Sequence, residues 1–583
     1  MISSERSEVT AASLEKLSSS SPPARAKLFE WGPLQLTCGF SCLILLLLQL
    51  WRPYFFLADD SLVYWFPIVV TMGDQIAHGQ SVATNPYLFG GYHLLSDPLG
   101  ISLWNPLVLL LALVANTRFY LAIVDIYCSV NLLISSLAFT LLLCRLRELN
   151  SLDLPNRRIV FLSLSFTFSS YALTIGACWL MFLANSTVLS LLAMGLLCEK
   201  RSSGVRYVAA GLVFGIYVGH LSPFLFSVLF FSVFALCLSW ANRSREPLQV
   251  WVRGGLWALL LCLPPLIPAT MGFMASARSG SLGTVDITKN AVPLTALVLA
   301  FLGSYIGIFT GSGLGIFSFR LLYGLAGCAA SGLFWGSLPW KKKLSRVDIA
   351  LIVTTLVVVL FIVRPHWLGA VLSHTPLFRS LRWPFREVFV LLFFLHLWIA
   401  LRPVTMNPRK YAICGGLGAA LFAASLCIVT PWTFSPYTID RELLRNGKAA
   451  AYWESLRSEF KPGDQLISIV GRHFADENAT EIPFTLLGAF NYPALFKIAS
   501  ISGYTAPGLQ QTESQGDVPY HMGGMYSEKV GRRMLARNPH LKAMRLVSLY
   551  PPRIELCTGA GCRAVEVPAY TPPEVRGKVM ENR

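Results

Sequence analysis

Two groups of ionisable side chains stand out against an otherwise strongly apolar chain. The first is Asp59 and Asp60, directly after a long apolar run, joined farther on by His93 and Asp97 in the stretch GGYHLLSDP. A carboxylate at a water–membrane boundary can take the proton from an acceptor hydroxyl, or it can ligate a divalent cation such as Mg or Mn. Adjacent aspartates can equally cap a helix and mark the interface. The second group is Arg379, Arg382 and Arg386, spaced by three and four residues just before another apolar run. Such spacing puts three guanidinium groups on one side of a helix or tight loop. Guanidinium holds phosphate through paired hydrogen bonds; the alternatives are non-specific attraction of anionic lipid and pairing with acids of the first loop. His220, in YVGHLSPF, falls in a short turn between apolar runs, where histidine serves either structure or a ligand. Arg278 and Lys289 add charge to a further polar loop.

These side chains can meet only if the apolar runs deliver them to one face of a membrane. Runs at about residues 31–51, 119–144, 157–177, 179–198, 206–220, 222–240, 250–268, 315–337, 347–363, 386–401 and 411–430 predict about eleven transmembrane helices. Basic clusters alternate with them: Arg145 and Arg147, Lys200 and Arg201, Arg243 and Arg245, Lys341 to Lys343, then Arg402, Arg409 and Lys410. Positive charge is retained on the cytoplasmic side, which puts the amino terminus inside and the carboxyl terminus outside; the expected location is the cell (inner) membrane. Outer loops are then expected at 53–118, 269–314 and 364–385. Within the first, Leu62, Trp65, Phe66, Val69 and Ile76 recur at helical spacing, which predicts a helix along the membrane surface with Asp60 or Ser61 near its start and a kink at Pro67. Asn105 to Ala115 is too short to span and reads as interfacial or re-entrant, with His93 and Asp97 in a Gly-rich turn that folds back over the acids.

Composition agrees. Of 583 residues 54% are hydrophobic and only 14% charged, and the mean hydropathy is +0.55, far from a soluble protein with about a quarter of its residues charged. The net charge of +17 does not point to nucleic acid, because the Lys and Arg residues sit mainly between apolar runs. Residues 1–28, Ser-rich and without core-forming residues, read as a disordered cytoplasmic tail, and 29–430 as the membrane domain. After Pro431 hydropathy falls and short alternating runs, DQLISIV, MRLVSLY and RIELC, predict strands, with a helix around Arg441 to Phe460. Residues 431–583 are thus expected to form a small extracytoplasmic α+β domain. Most cysteines lie in apolar runs, but Cys557 and Cys562 flank a Gly-rich turn and are candidates for a local disulfide if that domain is extracytoplasmic. Asn478 begins an Asn-Ala-Thr sequon, relevant only in a host that glycosylates such sites.

The order of motifs also carries a resemblance. ADD (Ala58 to Asp60), Phe66-Pro67, GGY (Gly90 to Tyr92) and SDPLG (Ser96 to Gly100), with PLFRSLRWPFR (Pro376 to Arg386) before a late span, resemble the YfhO-type bacterial membrane proteins and, more broadly, the C-type glycosyltransferases. GYTAP (Gly503 to Pro507) is similar to a Gly-Tyr-Ser-Pro element of such proteins, with Thr505 in place of Ser. The resemblance implies transfer of a sugar from a polyprenyl-phosphate carrier to an envelope glycan or lipid acceptor on the outer face. It implies Asp60 or Asp59 as catalytic acid-loop residue and Arg379, Arg382 and Arg386 as holders of the carrier phosphate. A lipid or polysaccharide transporter and a non-catalytic envelope assembly protein are the rival expectations; Asp125 is the clearest ionisable residue within a span for the former.

Overall fold

The structure, a computed structural model, describes residues 32–57, 61–85, 103–150, 154–169, 179–197, 200–274, 344–375 and 387–402, with shorter pieces among 87–94, 172–176, 291–297, 409–420, 457–468 and 544–564. Its helices are α1 (Pro33–Trp51), α2 (Phe66–Ala77, entered through the π-helical turn Ser61–Trp65), α3 (Pro106–Val114) and α4 (Ile123–Asn150). They continue with α5 (Asn156–Thr167), α6 (Ala184–Leu197), α7 (Arg201–Tyr217), α8 (Leu221–Asn242) and α9 (Glu246–Met274), then α10 (Arg346–Val363), α11 (His366–His374) and α12 (Val388–Leu401). Six are long and apolar enough to cross a bilayer, namely α1, α4, α6, α8, α9 and α10, counting the short 3-10 turns that lead into α4 and α6. They mark the chain as a helical membrane protein. The expected spans at 315–337 and 411–430 and the second outer loop fall wholly or largely outside the described residues.

Packing follows from the solvent. In hydrocarbon no hydrophobic force drives helices together, so small and polar side chains turn inward and leucines outward. α1 buries Thr37, Ser41, Leu45 and Leu48, one stripe at helical spacing, while Leu43, Leu46, Leu47 and Leu50 are exposed. The buried hydroxyls meet their like on α4: Thr37 lies 3.1 Å from Thr140 and Ser41 3.0 Å from Ser136. The centre of the bundle is aromatic, with Phe166 stacked on Phe389 at 5.3 Å and Phe393 set against both Phe139 and Phe231. α6 and α7 cross where a Cβ on Gly204 would stand 2.6 Å from the carbonyl oxygen of Gly195. α9 carries Pro264, Pro265 and Pro268 inside the helix. A proline ring removes the bond to the carbonyl four residues earlier, and the carbonyl that Pro265 releases, that of Leu261, accepts from the Tyr217 hydroxyl at 3.1 Å.

Contacts between helix ends fix their directions. At one end Arg147, late in α4, donates to Asn156 at the start of α5 at 2.7 Å. Arg158 of α5 donates to the carbonyls of Ile399 and Arg402 at the end of α12, and Arg402 pairs with Asp348, in the first turn of α10, at 2.8 Å. The starts of α5 and α10 and the ends of α4 and α12 therefore share one end, rich in Arg and Lys and here called the basic end. The end of α1, the start of α4, the end of α10 and the start of α12 lie at the opposite end.

Several elements differ from expectation. The run 157–177 is not one span: α5 stops after 12 residues at Thr167, capped by the N–H of Phe168 on the carbonyls of Leu164 and Phe166. At 1.5 Å per residue it is about 18 Å long, well short of the roughly 30 Å of hydrocarbon. The helix after Ser61 is not laid on a surface; Leu62, Trp65, Phe66, Ile68, Val69 and Met72 are all buried. It packs on α3, where a Cβ on Gly73 would clash with the carbonyl of Ala112 at 2.2 Å, so only glycine allows the approach. His93 is not in a turn but in a two-residue strand, β2 (Tyr92–His93), antiparallel to β1 (Thr84–Asn85) with His93 opposite Thr84. The expected loop 364–385 contains α11, whose Leu368 and Leu372 fold back on Leu360 and Phe361 of α10. Near the carboxyl terminus the expected strands occur as β3 (Ile467–Ser468), β4 (Met544–Leu549) and β5 (Pro552–Thr558), joined by an unexpected β6 (Gly561–Ala564). The sheet order is β3-β4-β5-β6, with β3 parallel to β4 and the rest antiparallel. Cys557 and Cys562 are register partners across β5 and β6, where Cα atoms stand roughly 4.5–5.5 Å apart, a separation a disulfide can bridge.

The helix crossing yields a first prediction. Gly204→Leu should destabilise the protein in detergent by about 1–3 kcal/mol through overpacking, whereas Gly255→Leu, at a glycine with no atom within 4 Å of its would-be Cβ, should be near neutral. Denaturant unfolding of the two variants checks this, and equal losses would contradict the crossing.

Candidate functional site

The opposite end of the bundle gathers the described residues that flank both ionisable groups. After α1 the chain turns at Tyr54, whose φ of 60° is left-handed, and the Tyr54 N–H donates to Gln49 Oε1 at 3.1 Å. Asp125, in the first turn of α4, accepts from the Gln49 amide and from the Phe56 N–H, the latter at 3.1 Å. A carboxylate there also meets the favourable positive end of the helix dipole. Asp125 is buried and engaged with these groups, so it acts as a bracket for residues 49–56 and not as an ionisable site waiting within a span.

On the far side of the acid pair the chain is held again. The Ser61 hydroxyl donates to the carbonyl of Gly176 at 3.4 Å, and the Cys128 thiol to the same carbonyl at 3.5 Å. A Cβ on Gly176 would lie 3.1 Å from the Phe56 ring, so Phe56 and Ser61 converge on one point. Asp59 and Asp60 themselves lie outside the described residues, but their flanks are anchored at this end.

A second layer links the first loop to the rest of the bundle. Trp65 rests on Tyr127 with ring centroids 5.2 Å apart. The Asn105 side chain caps α3 through the Leu107 N–H at 3.0 Å and donates to the Tyr127 hydroxyl at 3.2 Å. That hydroxyl in turn donates to the carbonyl of Val218 at 3.2 Å, in the turn between α7 and α8. His220, half-buried in the same turn, sits against Phe182, with ring centroids 4.7 Å apart and the planes tilted by 32°. The structure thus brings His220 to the end that carries the flanks of the acid pair.

The arginine-rich stretch is bounded in the same way. α10 ends at Arg364, in the left-handed conformation with φ 42°, its guanidinium buried and 5.8 Å from the Phe226 ring. Burial pulls the Arg364 pKa down, and the nearby carboxylate of Glu387, itself buried at the start of α12, opposes that shift. Arg379, Arg382 and Arg386 lie between these two residues in sequence and, with Asp97, outside the described residues. His93 is placed by its backbone alone, through its pairing with Thr84.

Among the described residues no group of three or more His, Cys, Asp or Glu side chains could hold a metal. Asp59 and Asp60, whose carboxylates could instead ligate a divalent cation such as Mg or Mn, are not among them. Sequence reasoning did not single out Gln49, Tyr127 or Gly176, because each sits inside or beside an apolar run with nothing in its own residue type to mark it. Asn105 was legible as a helix start from the Asn-Pro pair. Comparison with known protein families, with curated proteins and with solved structures gives no match.

The bracket is testable. Asp125→Ala removes the acceptor of a buried backbone N–H and should cost about 1–3 kcal/mol. Tyr127→Phe should cost about as much by unlinking Asn105 from Val218. Thermal unfolding in detergent measures both, and the Asp125 variant should also become sensitive to limited proteolysis between Arg52 and Ser61. Unchanged stability and protection would exclude the bracketing role.

Proposed function

We propose that this protein is a membrane glycosyltransferase that moves a sugar from a polyprenyl-phosphate carrier to an envelope glycan or lipid acceptor at the face opposite the basic end. The observation that carries the reading is directional. Leu57 and Ser61, on either side of the acid pair, and Arg364 and Glu387, on either side of the arginine stretch, belong to the same end of the bundle. One ligand that carries both a reacting sugar and a lipid phosphate suits that arrangement. By the positive-inside tendency the basic end is cytoplasmic and this face extracytoplasmic.

In this reading Asp60, or its neighbour Asp59, takes the proton from the acceptor hydroxyl as that oxygen bonds to the anomeric carbon. The bond from the anomeric carbon to the carrier phosphate oxygen breaks, and the electron pair leaves with the phosphate. Arg379 and Arg382, together with Arg386, stabilise the negative charge that grows there; a well-placed donor of this kind is worth about 3 kcal/mol. In the same reading His220, Asp97 and His93 shape the sugar and acceptor subsites. A divalent cation on the aspartates would lend charge to the same phosphate, and no step is assigned to it.

One feature favours a second reading. α5 is a 12-residue half-length helix, and interrupted helices line the substrate paths of transporters. Purified protein given a labelled polyprenyl-phosphate sugar and candidate acceptors separates the two. Asp60→Asn should lower turnover by roughly 10²-fold or more and Arg382→Ala by about 10²-fold. Robust turnover by both variants removes the site assignment, and substrate uptake into sealed vesicles without any product favours the transporter.

Sidedness has its own check. Cysteines introduced at Arg145 and at Thr117, exposed positions near opposite ends of α4, should react with an impermeant thiol reagent from opposite sides of intact cells and inverted vesicles, Thr117 from outside. Labelling of both from one side would overturn the orientation.

A further inference from the structure

Among the described residues, two of the clefts between helices at the basic end differ in charge. One, of about 540 Å³, is lined among its polar groups by Asn242, Ser244, Glu246 and Ser345, with no cation among its described lining residues. The other, of about 270 Å³, lies where the end of α4, the end of α6 and the start of α7 meet. Its polar wall is Arg145, Lys200, Ser203 and Tyr207, and its floor is four leucines and Met194. Cations from two separate helices thus face one hollow whose base is hydrocarbon-like.

The charge balance of this corner is positive. Arg145 is shared with Glu148 at 2.9 Å, and Glu199 precedes Lys200 in sequence. Against these two acids stand Arg145, Lys200, Arg201 and Arg206, with Arg206 reaching the Ser203 hydroxyl at 3.4 Å. The cleft also opens on the first turn of α7, whose N-cap, Lys200, makes no side-chain capping bond. The N–H groups of that turn and the helix dipole both favour an anion. The depth matters as well, because Leu142 and Leu146 of the floor belong to a helix long and apolar enough to cross a membrane, which puts the hollow where lipid head groups meet acyl chains.

We infer that this cleft is a binding site for an anionic glycerophospholipid of the leaflet at the basic end. The phosphate would sit between Arg145 and Lys200, with the Ser203 and Tyr207 hydroxyls donating to its oxygens, and the first acyl methylenes would lie on Met194 and the leucines. Basic pockets between transmembrane helices on the cytoplasmic side recognise phosphate head groups by the same combination. The inference does not depend on sugar transfer, and the site lies at the other end of the bundle from the residues proposed for it.

The test places the full-length protein in nanodiscs of equal parts phosphatidylglycerol and phosphatidylcholine and measures retained lipid by native mass spectrometry. Wild type should keep phosphatidylglycerol in preference to phosphatidylcholine. Arg145→Gln with Lys200→Gln should reduce that retention about tenfold or more, while Arg243→Gln with Arg245→Gln, exposed cations of the same end that do not line the cleft, should leave it unchanged. Ser203→Ala with Tyr207→Phe keeps every charge and should weaken retention by a smaller factor, so the conclusion does not hang on one variant's folding. Equal loss in both charge pairs would reduce the effect to general surface attraction and overturn the site. Displacement of the lipid by inorganic phosphate alone would overturn it too, in favour of a free-anion site.

Discussion

The structure depends on one constraint: a polar group placed among apolar helices must find its partner inside the protein, because hydrocarbon offers none. Four pairs of buried side chains join helices in this way, Thr37 with Thr140, Ser41 with Ser136, Ser135 with Thr187 at 3.0 Å and Ser227 with Asn185 at 2.9 Å, although the Thr167 hydroxyl and the Trp65 indole N–H are buried without a partner among the described residues. His396, enclosed by Phe139 and Phe166, shares a hydrogen bond with Ser165 at 3.1 Å and keeps its other ring nitrogen on the Leu392 carbonyl. Such bonds are worth little individually, about 0.6 kcal/mol on average in membrane proteins. Their effect is to fix register and direction.

The charged groups apply the same constraint at the two boundaries. At the basic end Asp348 closes a capping box with Ser345 and also pairs with Arg402, whose carbonyl accepts from Arg158. Three helices are thereby tied at one level. At the opposite end Asp125 restrains the chain leaving α1, and the buried Arg364 and Glu387 stand at the two edges of the arginine-rich stretch. Breaking a buried ion pair by removing one member typically costs 3–5 kcal/mol. The segments proposed for chemistry thus extend from well-held stems, an arrangement that lets reactive residues vary without loosening the bundle.

Legibility in the sequence followed the strength of the periodic signal. Long apolar runs with basic ends, such as Pro33–Trp51 and Arg346–Val363, were readable because length and charge alone define them. The early stop of α5 was not, since residues 157–177 are apolar on both sides of the break and hydropathy is blind to backbone conformation. The helix after Ser61 has a surface-like pattern, yet it is buried, with α3 packed on it and Trp65 resting on Tyr127 of α4, a tertiary fact with no local trace. α11 was hidden by its length, nine residues among prolines and arginines. For the proposed site, residue types announced Asp59, Asp60 and the arginines, but the residues that hold the flanks of the first loop, Gln49, Tyr127 and Gly176, gained meaning only through contacts more than forty residues away in sequence.

The three prolines of α9 place a soft joint in an otherwise stiff rod, and the Tyr217 phenol props it from the neighbouring helix. A strut of this kind transmits as well as supports. Movement at the end of α7, where the His220 turn begins, would be passed through that hydrogen bond to the proline-bearing part of α9, a coupling between neighbouring helices that needs no continuous hydrogen-bonded path.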